Sequence, residues 1–210
     1  SRQNGLAAYQ FIKDAVGFVT SGIVDGLVTA PICKDSLQKA DISYTGHTTM
    51  LKDLTQSDHV SMGFYSPAFN VVLATVHVAL KDVSELLSDN LLKIKLDHAM
   101  LFMDLLGHEN SHIAVSSLNP HAGENGLFGY EEQDIIKPFI EHCVLNKKHI
   151  VSGPYSADTV FYRANKGDFD CVIAMYHDQG LIPIKLNHFH DAVNVTLGLP
   201  FIRTSPDYGT

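Results

Sequence analysis

The chain has 210 residues, 45% of them hydrophobic, which is enough to bury a real core and too apolar for intrinsic disorder. A formal net charge of -8, with no run of Lys or Arg, removes the footprint of a general nucleic-acid binder. The longest apolar stretches, such as residues 71–75 and 171–175, are strand-sized and far short of a membrane span. Three cysteines, Cys33, Cys143 and Cys171, are odd in number and far apart, which suits buried structural thiols in a reducing cytoplasm, the expected location.

In chain order, apolar residues at Leu6, Tyr9, Ile12, Val16 and Val19 predict a helix over residues 5–19. Residues 23–30 read as a turn feeding a short buried strand that Pro31 ends. A second buried strand is expected at 71–75, an amphipathic helix at 88–106, and a third strand at 113–118. A helix over 131–146, a short strand at 149–151 and a further strand at 171–175 complete the pattern. Strands alternating with helices give the α/β class. Neither end of the sequence reads as a finished boundary, so the chain is expected to belong to a longer protein.

Histidine, with 12 residues, is the compositional outlier and the commonest metal ligand. His77, His121 and His177 each lie at or just after the end of an apolar strand. Ligand crevices of open α/β sheets lie outside the carboxyl ends of strands, so three imidazoles delivered there could converge on one divalent ion with positions left open for substrate. The competing reading of each is a hydrogen-bonded structural histidine.

The segment 176–185 carries His177, Asp178, Gln179 and Lys185 around Gly180 and Pro183, too many functional groups for a simple turn, with a solvated polar loop as the alternative. Further on, Asn194, Thr196 and Arg203 sit close in sequence, and Lys185 with Arg203 could clamp a phosphate. Gly46-His47-Thr48 reads as a short polar turn able to donate to an anion, and Asn119-Pro120-His121-Ala122-Gly123-Glu124 as a shaped loop. Gly123, Gly126 and Gly129 do not form a GxGxxG fingerprint and no P-loop occurs, so a bound NAD would not be held in the Rossmann manner.

Taken together, Gly46-His47-Thr48, residues 119–124, Gly153-Pro154 with 157–161, and the long segments 175–185 and 193–207 resemble the 4-hydroxythreonine-4-phosphate dehydrogenase family over almost the whole chain. The resemblance implies the two-domain α/β fold of isocitrate and isopropylmalate dehydrogenases, with the active site in the interdomain cleft. Residues 1–45 with 198–210 would form part of a terminal domain, and 46–197 a central domain carrying metal and substrate residues. It also implies that His77, His121 and His177 ligate a divalent metal (zinc, magnesium or cobalt), one of them contributed across a homodimer interface. His47, Thr48, Lys185, Asn194 and Arg203 match the substrate-binding positions. Lys185, Asp178 and Asp158 are the candidate catalytic residues, and Asp178, Asp158 and a metal-bound hydroxide are the candidate bases.

The cofactor implied is NAD, with NADP as the alternative, met by a loop that starts at Asp207, Tyr208, Gly209 and Thr210. The family usually has His where this chain has Tyr208. The activity implied is oxidation of 4-phosphooxy-L-threonine followed by decarboxylation, in pyridoxine synthesis. Dehydrogenation of phosphorylated threonate or erythronate, and acyl-phosphate transfer on a related fold, are the rival expectations.

Overall fold

The computed structural model of the protein describes residues 1–44, 46–143 and 148–206. Two compact units emerge, one from residues 1–60 with 193–210 and one from 61–192.

In the first unit, α1 (Arg2–Thr20) opens on Ser1, whose side chain accepts the Asn4 N–H. The stripe Ile12, Val16 and Val19 is buried at helical spacing. Gly5 lies so near α2 (Lys34–Lys39) that an added Cβ would stand 2.0 Å from the Ser36 carbonyl oxygen. Ile12 and Val16 share a core with Leu37 of α2 and with Met50 and Leu51 of α3 (His47–Leu54). The strands β1 (Gly26–Val28), β7 (Val193–Leu197) and β8 (Ile202–Pro206) complete the unit, β8 running parallel to β1 and antiparallel to β7.

The second unit contains β2 (Ser61–Tyr65), β3 (Asn70–Leu73), α4 (Val83–Leu86), α5 (Asp89–Leu105), β4 (His112–Ser116) and α6 (Lys137–Cys143). It continues through β5 (Ile150–Tyr155), α7 (Ala157–Asn165), β6 (Cys171–Ala174) and α8 (His177–His188). Its strands run in the order β2-β3-β6-β4-β5. β2 is antiparallel to β3, and every other neighbouring pair is parallel. β3 and β6 are buried at every residue, which is why their sequences are continuous apolar runs without alternation. Val71, Leu73, Val172 and Ala174 pack with Val160 and Phe161 of α7 and Leu181 and Ile184 of α8. Val72 and Ile173 point to the opposite face by strand alternation, and α5 packs against β2, β3 and β6.

Several expectations need correction. The strand expected to be buried near residue 27 is only three residues long and largely exposed, with Val28 at 76% exposure, because β1 lies at the end of its sheet. The turn at Gly46-His47-Thr48 is the start of α3. The helix expected over 131–146 begins as a π-helical turn, Glu132–Ile136, and passes into α6; residues 144–146 lie outside the described residues. The functional segment 176–185 is neither a turn nor a loop but most of α8, with Pro183 inside it. Residues 46–60 and 193–197 fall in the first unit, since Met50 and Leu51 pack on α1 and β7 pairs with β8. Cys33 is exposed where a buried thiol was expected, whereas Cys171 is buried. Among the described residues no helix is long and apolar enough to cross a membrane.

Gly180 lets α8 sit directly on the sheet. A Cβ there would stand 2.7 Å from Leu73 Cδ2, 2.8 Å from Val71 Cγ1 and 3.2 Å from Ala174 Cβ. Gly180→Ala is therefore expected to destabilise the protein by about 1–3 kcal/mol through overpacking, read from urea unfolding. An unchanged unfolding midpoint would show that this close approach is not needed.

Candidate functional site

β3, β6 and β4 are parallel neighbours, so their carboxyl ends share one edge of the sheet. His77 follows β3, His177 is the first residue of α8 after β6, and His121 follows β4. The ring centroids of His77 and His177 are 5.8 Å apart, with planes tilted by 39°. Both imidazoles line a cavity of about 300 Å³ together with Val76, Leu80, Tyr176 and Asp178. Two imidazoles bonded to one zinc-sized ion at about 2.0–2.1 Å hold their centroids roughly 5 Å apart, so this pair fits a shared divalent ion after a small adjustment.

Asp178 lies 2.7 Å from His177 Nδ1 and accepts its proton as a hydrogen bond. That interaction leaves the Nε2 lone pair for a ligand, the arrangement in which a carboxylate orients a metal-binding imidazole. The edge is tied together behind the rings. Gln179, buried in the first turn of α8, accepts from the Met175 N–H at 2.7 Å and donates to the Ser117 carbonyl at 2.8 Å, joining the ends of β6 and β4. The Thr75 hydroxyl donates to the Met175 carbonyl at 2.8 Å, joining the His77 segment to the same point. Thr75 carries no sequence signal of its own, and Gln179 was legible only as one polar residue among several.

His121 stands apart from this pair. It lines a separate concavity with Ala122, Glu124 and Asn125, and among the described residues no three His, Cys, Asp or Glu side chains gather at metal-binding distance. Lys185 is in the last turn of α8, roughly 12 Å along the helix axis from His177 at 1.5 Å per residue. Asp158 is exposed in the first turn of α7 and accepts from the Ser156 hydroxyl at 2.5 Å, outside the His77 and His177 cavity. Asp207, Tyr208, Gly209 and Thr210 lie outside the described residues.

The first unit carries a second cluster. Arg203 on β8 is 3% exposed and donates from Nη1 to Thr196 Oγ1 at 2.8 Å and from Nη2 to Thr29 Oγ1 at 2.5 Å. Thr196 is its register partner on β7, and Thr29 follows β1, so the three strands build the pocket directly. Among the described residues Arg203 has no carboxylate partner, and its Nε and the Asn194 Oδ1 are buried without a hydrogen bond. Burial lowers the Arg203 pKa to about 10, so the guanidinium stays charged at neutral pH. A buried charge without a counter-ion is costly, and an anionic ligand is what would relieve it.

His47, half-buried at the start of α3 with Thr48 beside it, is held to a pKa of about 4 by burial and by the charge of Arg203. It is therefore neutral at pH 7. Thr29 is the member of this cluster that the sequence did not single out.

Parallel strands ending in imidazoles, together with a pocket built round a buried guanidinium, define an α/β protein suited to a divalent ion and a small anionic ligand. Residues 1–210 match the family model described as pyridoxal phosphate biosynthetic protein PdxA, and the chain belongs to that family. It is 44% identical over 209 residues to a D-threonate 4-phosphate dehydrogenase of Pectobacterium atrosepticum, covering 99% of this chain and 64% of the relative. It is also 44% identical over 212 residues to a 4-hydroxythreonine-4-phosphate dehydrogenase of Desulfosudis oleivorans, covering 99% and 62%. The crystal structure of a 4-hydroxythreonine-4-phosphate dehydrogenase from Klebsiella pneumoniae superposes with a TM-score of 0.92 at 41% identity, covering all of this chain and 63% of that one. The chain thus spans a little under two thirds of the length of these relatives.

An anion seated beside His47 favours its protonated form and raises its pKa from about 4. Sulfate, which does not itself titrate near pH 5.5, is expected to bind with net proton uptake at that pH. Calorimetry in two buffers of different ionisation enthalpy reads the uptake, and His47→Gln should abolish it. Sulfate binding without buffer dependence in the wild type would remove His47 from the anion site.

Proposed function

We propose that the chain is part of a divalent-metal- and NAD-dependent dehydrogenase that oxidises 4-phosphooxy-L-threonine to 2-amino-3-oxo-4-phosphooxybutanoate. This β-keto acid then loses CO₂ to give 3-amino-2-oxopropyl phosphate, a step in the synthesis of vitamin B6. The observation that carries the reading is the His77 and His177 pair, 5.8 Å apart at the carboxyl edge of a parallel sheet, in a chain of the PdxA family.

In this reading His77, His121 and His177 hold the ion, and their ligand chemistry suits zinc, cobalt or magnesium. A divalent ion so held supplies Lewis-acid polarisation of the oxygen at the reacting carbon. Asp178 fixes the tautomer of His177. Arg203, Asn194, His47 and Thr48 receive the phosphate, which holds the substrate still while it reacts. Lys185 is a candidate catalytic residue. NAD, when bound, would supply the hydride acceptor, and Asp158 and Asp178 are the candidates among the side chains to take the hydroxyl proton. NAD, or NADP in its place, would be met by the segment beginning at Asp207.

His121 completes the ligand set from the partner subunit of a homodimer. Supporting this, Leu127 and Tyr130, 72% and 62% exposed, lie close after His121 in the chain, an apolar surface suited to burial between subunits. The free thiols accord with a cytoplasmic enzyme.

A second reading, D-threonate 4-phosphate as substrate, is favoured by the equal 44% identity to relatives of both names. Turnover of the two compounds by the full-length protein, followed as NADH formation, decides between them. A kcat/KM at least about 10-fold higher for 4-phosphooxy-L-threonine is expected, and the reverse preference would replace the substrate assignment. Dialysis against chelator should abolish turnover until a divalent ion is restored, and His121→Ala should do the same irreversibly without loss of the folded circular dichroism spectrum. Full activity of the chelated protein would contradict the metal reading.

A further inference from the structure

We infer that Glu132, acting through Asn119, is a positioning residue that holds the His121 turn in its metal-binding shape; the inference rests on the metal reading proposed above. The turn itself is unusual. His121, Ala122, Glu124 and Asn125 have φ of 52°, 53°, 42° and 57°, and Gly123 between them has 76°, so five consecutive residues are left-handed. Residues other than glycine are strained in that conformation by the contact of Cβ with the following carbonyl, and they keep it only where the surroundings impose it.

Those surroundings converge on one carboxylate. Glu132, 3% exposed, accepts the Leu118 and Asn119 backbone N–H groups on Oε1, both at 2.8 Å, and the Asn119 side-chain amide on Oε2 at 2.9 Å. Three donors offset the burial of its charge. The turn rests on the same group, since a Cβ on Gly123 would stand 2.7 Å from Glu132 Oε2. The carboxylate thus fixes both the start of the turn and its middle, on either side of His121.

The neighbouring Glu131 extends the hold to a second histidine segment. Its Oε2 accepts from Asn119 Nδ2 at 2.7 Å, and its Oε1 accepts from the hydroxyl of Ser84 in α4, the helix that comes after His77. Asn119 is bound by both carboxylates at the entry to the π-helical turn, a local irregularity of the kind that gathers at functional sites. A lock whose only task was to close the core would have no reason to bear on the strained turn or to link it to the segment after His77. Neither Glu132 nor Asn119 is hydrogen-bonded to the His121 ring; both act on the backbone that carries it, and displacing a metal ligand in this way is expected to cost affinity on the scale of losing an outer-shell partner, about 10–100-fold.

The test uses the full-length, metal-free protein and Co²⁺ as the probe, with affinity read by calorimetry. Glu132→Gln keeps the side-chain shape but sets an amide against a donor, and Co²⁺ affinity is expected to fall about 10–100-fold while sulfate binding at Arg203 stays as in the wild type. Circular dichroism and the urea unfolding midpoint report that the variant is folded. A folded Glu132→Gln protein that binds Co²⁺ like the wild type overturns the positioning role. Should that variant fail to fold, Glu131→Gln, which leaves the buried carboxylate in place, is expected to weaken Co²⁺ binding in the same direction, and wild-type affinity there overturns the inference. Wild-type protein that binds no Co²⁺, or His121→Ala protein that binds it fully, overturns the metal reading instead, and the inference with it.

Discussion

The parallel register of β3, β6 and β4 is the constraint that creates the imidazole edge. Three neighbouring strands running the same way must finish on the same side of the sheet, and there His77 and His177 meet, while His121 after β4 stands apart. Gly180 then brings α8 down onto β3 and β6, so that the first residue of the helix, His177, is delivered beside His77. Were α8 lifted by even a methyl group, the pair would separate while the sheet stayed intact. Gln179 and Thr75 hold the same corner from behind with buried hydrogen bonds to strand ends.

The two units solve opposite electrostatic problems. In the second, the imidazoles must be able to offer lone pairs, and a carboxylate on His177 Nδ1 selects the tautomer that does so. In the first, a guanidinium is buried among hydroxyls with no acid among the described residues to neutralise it, and burial, together with that charge, keeps His47 neutral. Such a pocket is destabilising while empty of negative charge and gains most from a dianion.

The parts of this arrangement that a sequence encodes locally were readable from it. Apolar runs at 71–75 and 171–175 mark strands buried on both faces, and helical spacing marks α1 and α5. The strand-end placement of His77, His121 and His177 is set by the apolar runs before them. Other features were hidden because tertiary packing decides them. Gly180 and Pro183 signal a loop by propensity, yet the sheet needs a helix there and needs its glycine for contact. Thr29 and Arg203 are 174 residues apart, and no periodicity connects them. The role of Glu132 was equally silent, since a buried carboxylate that accepts backbone N–H groups looks in sequence like any acid on a helix face.

Anomalous diffraction from crystals of the full-length protein grown with Zn²⁺ addresses the central claim most directly, because it locates the ion without relying on turnover. The account predicts one strong peak at about 2.0–2.1 Å from Nε2 of His177 and from the His77 ring, with the third imidazole supplied by His121 of the partner subunit. A peak that touches neither ring of the His77 and His177 pair, or crystals with no ordered ion at saturating Zn²⁺, would contradict it.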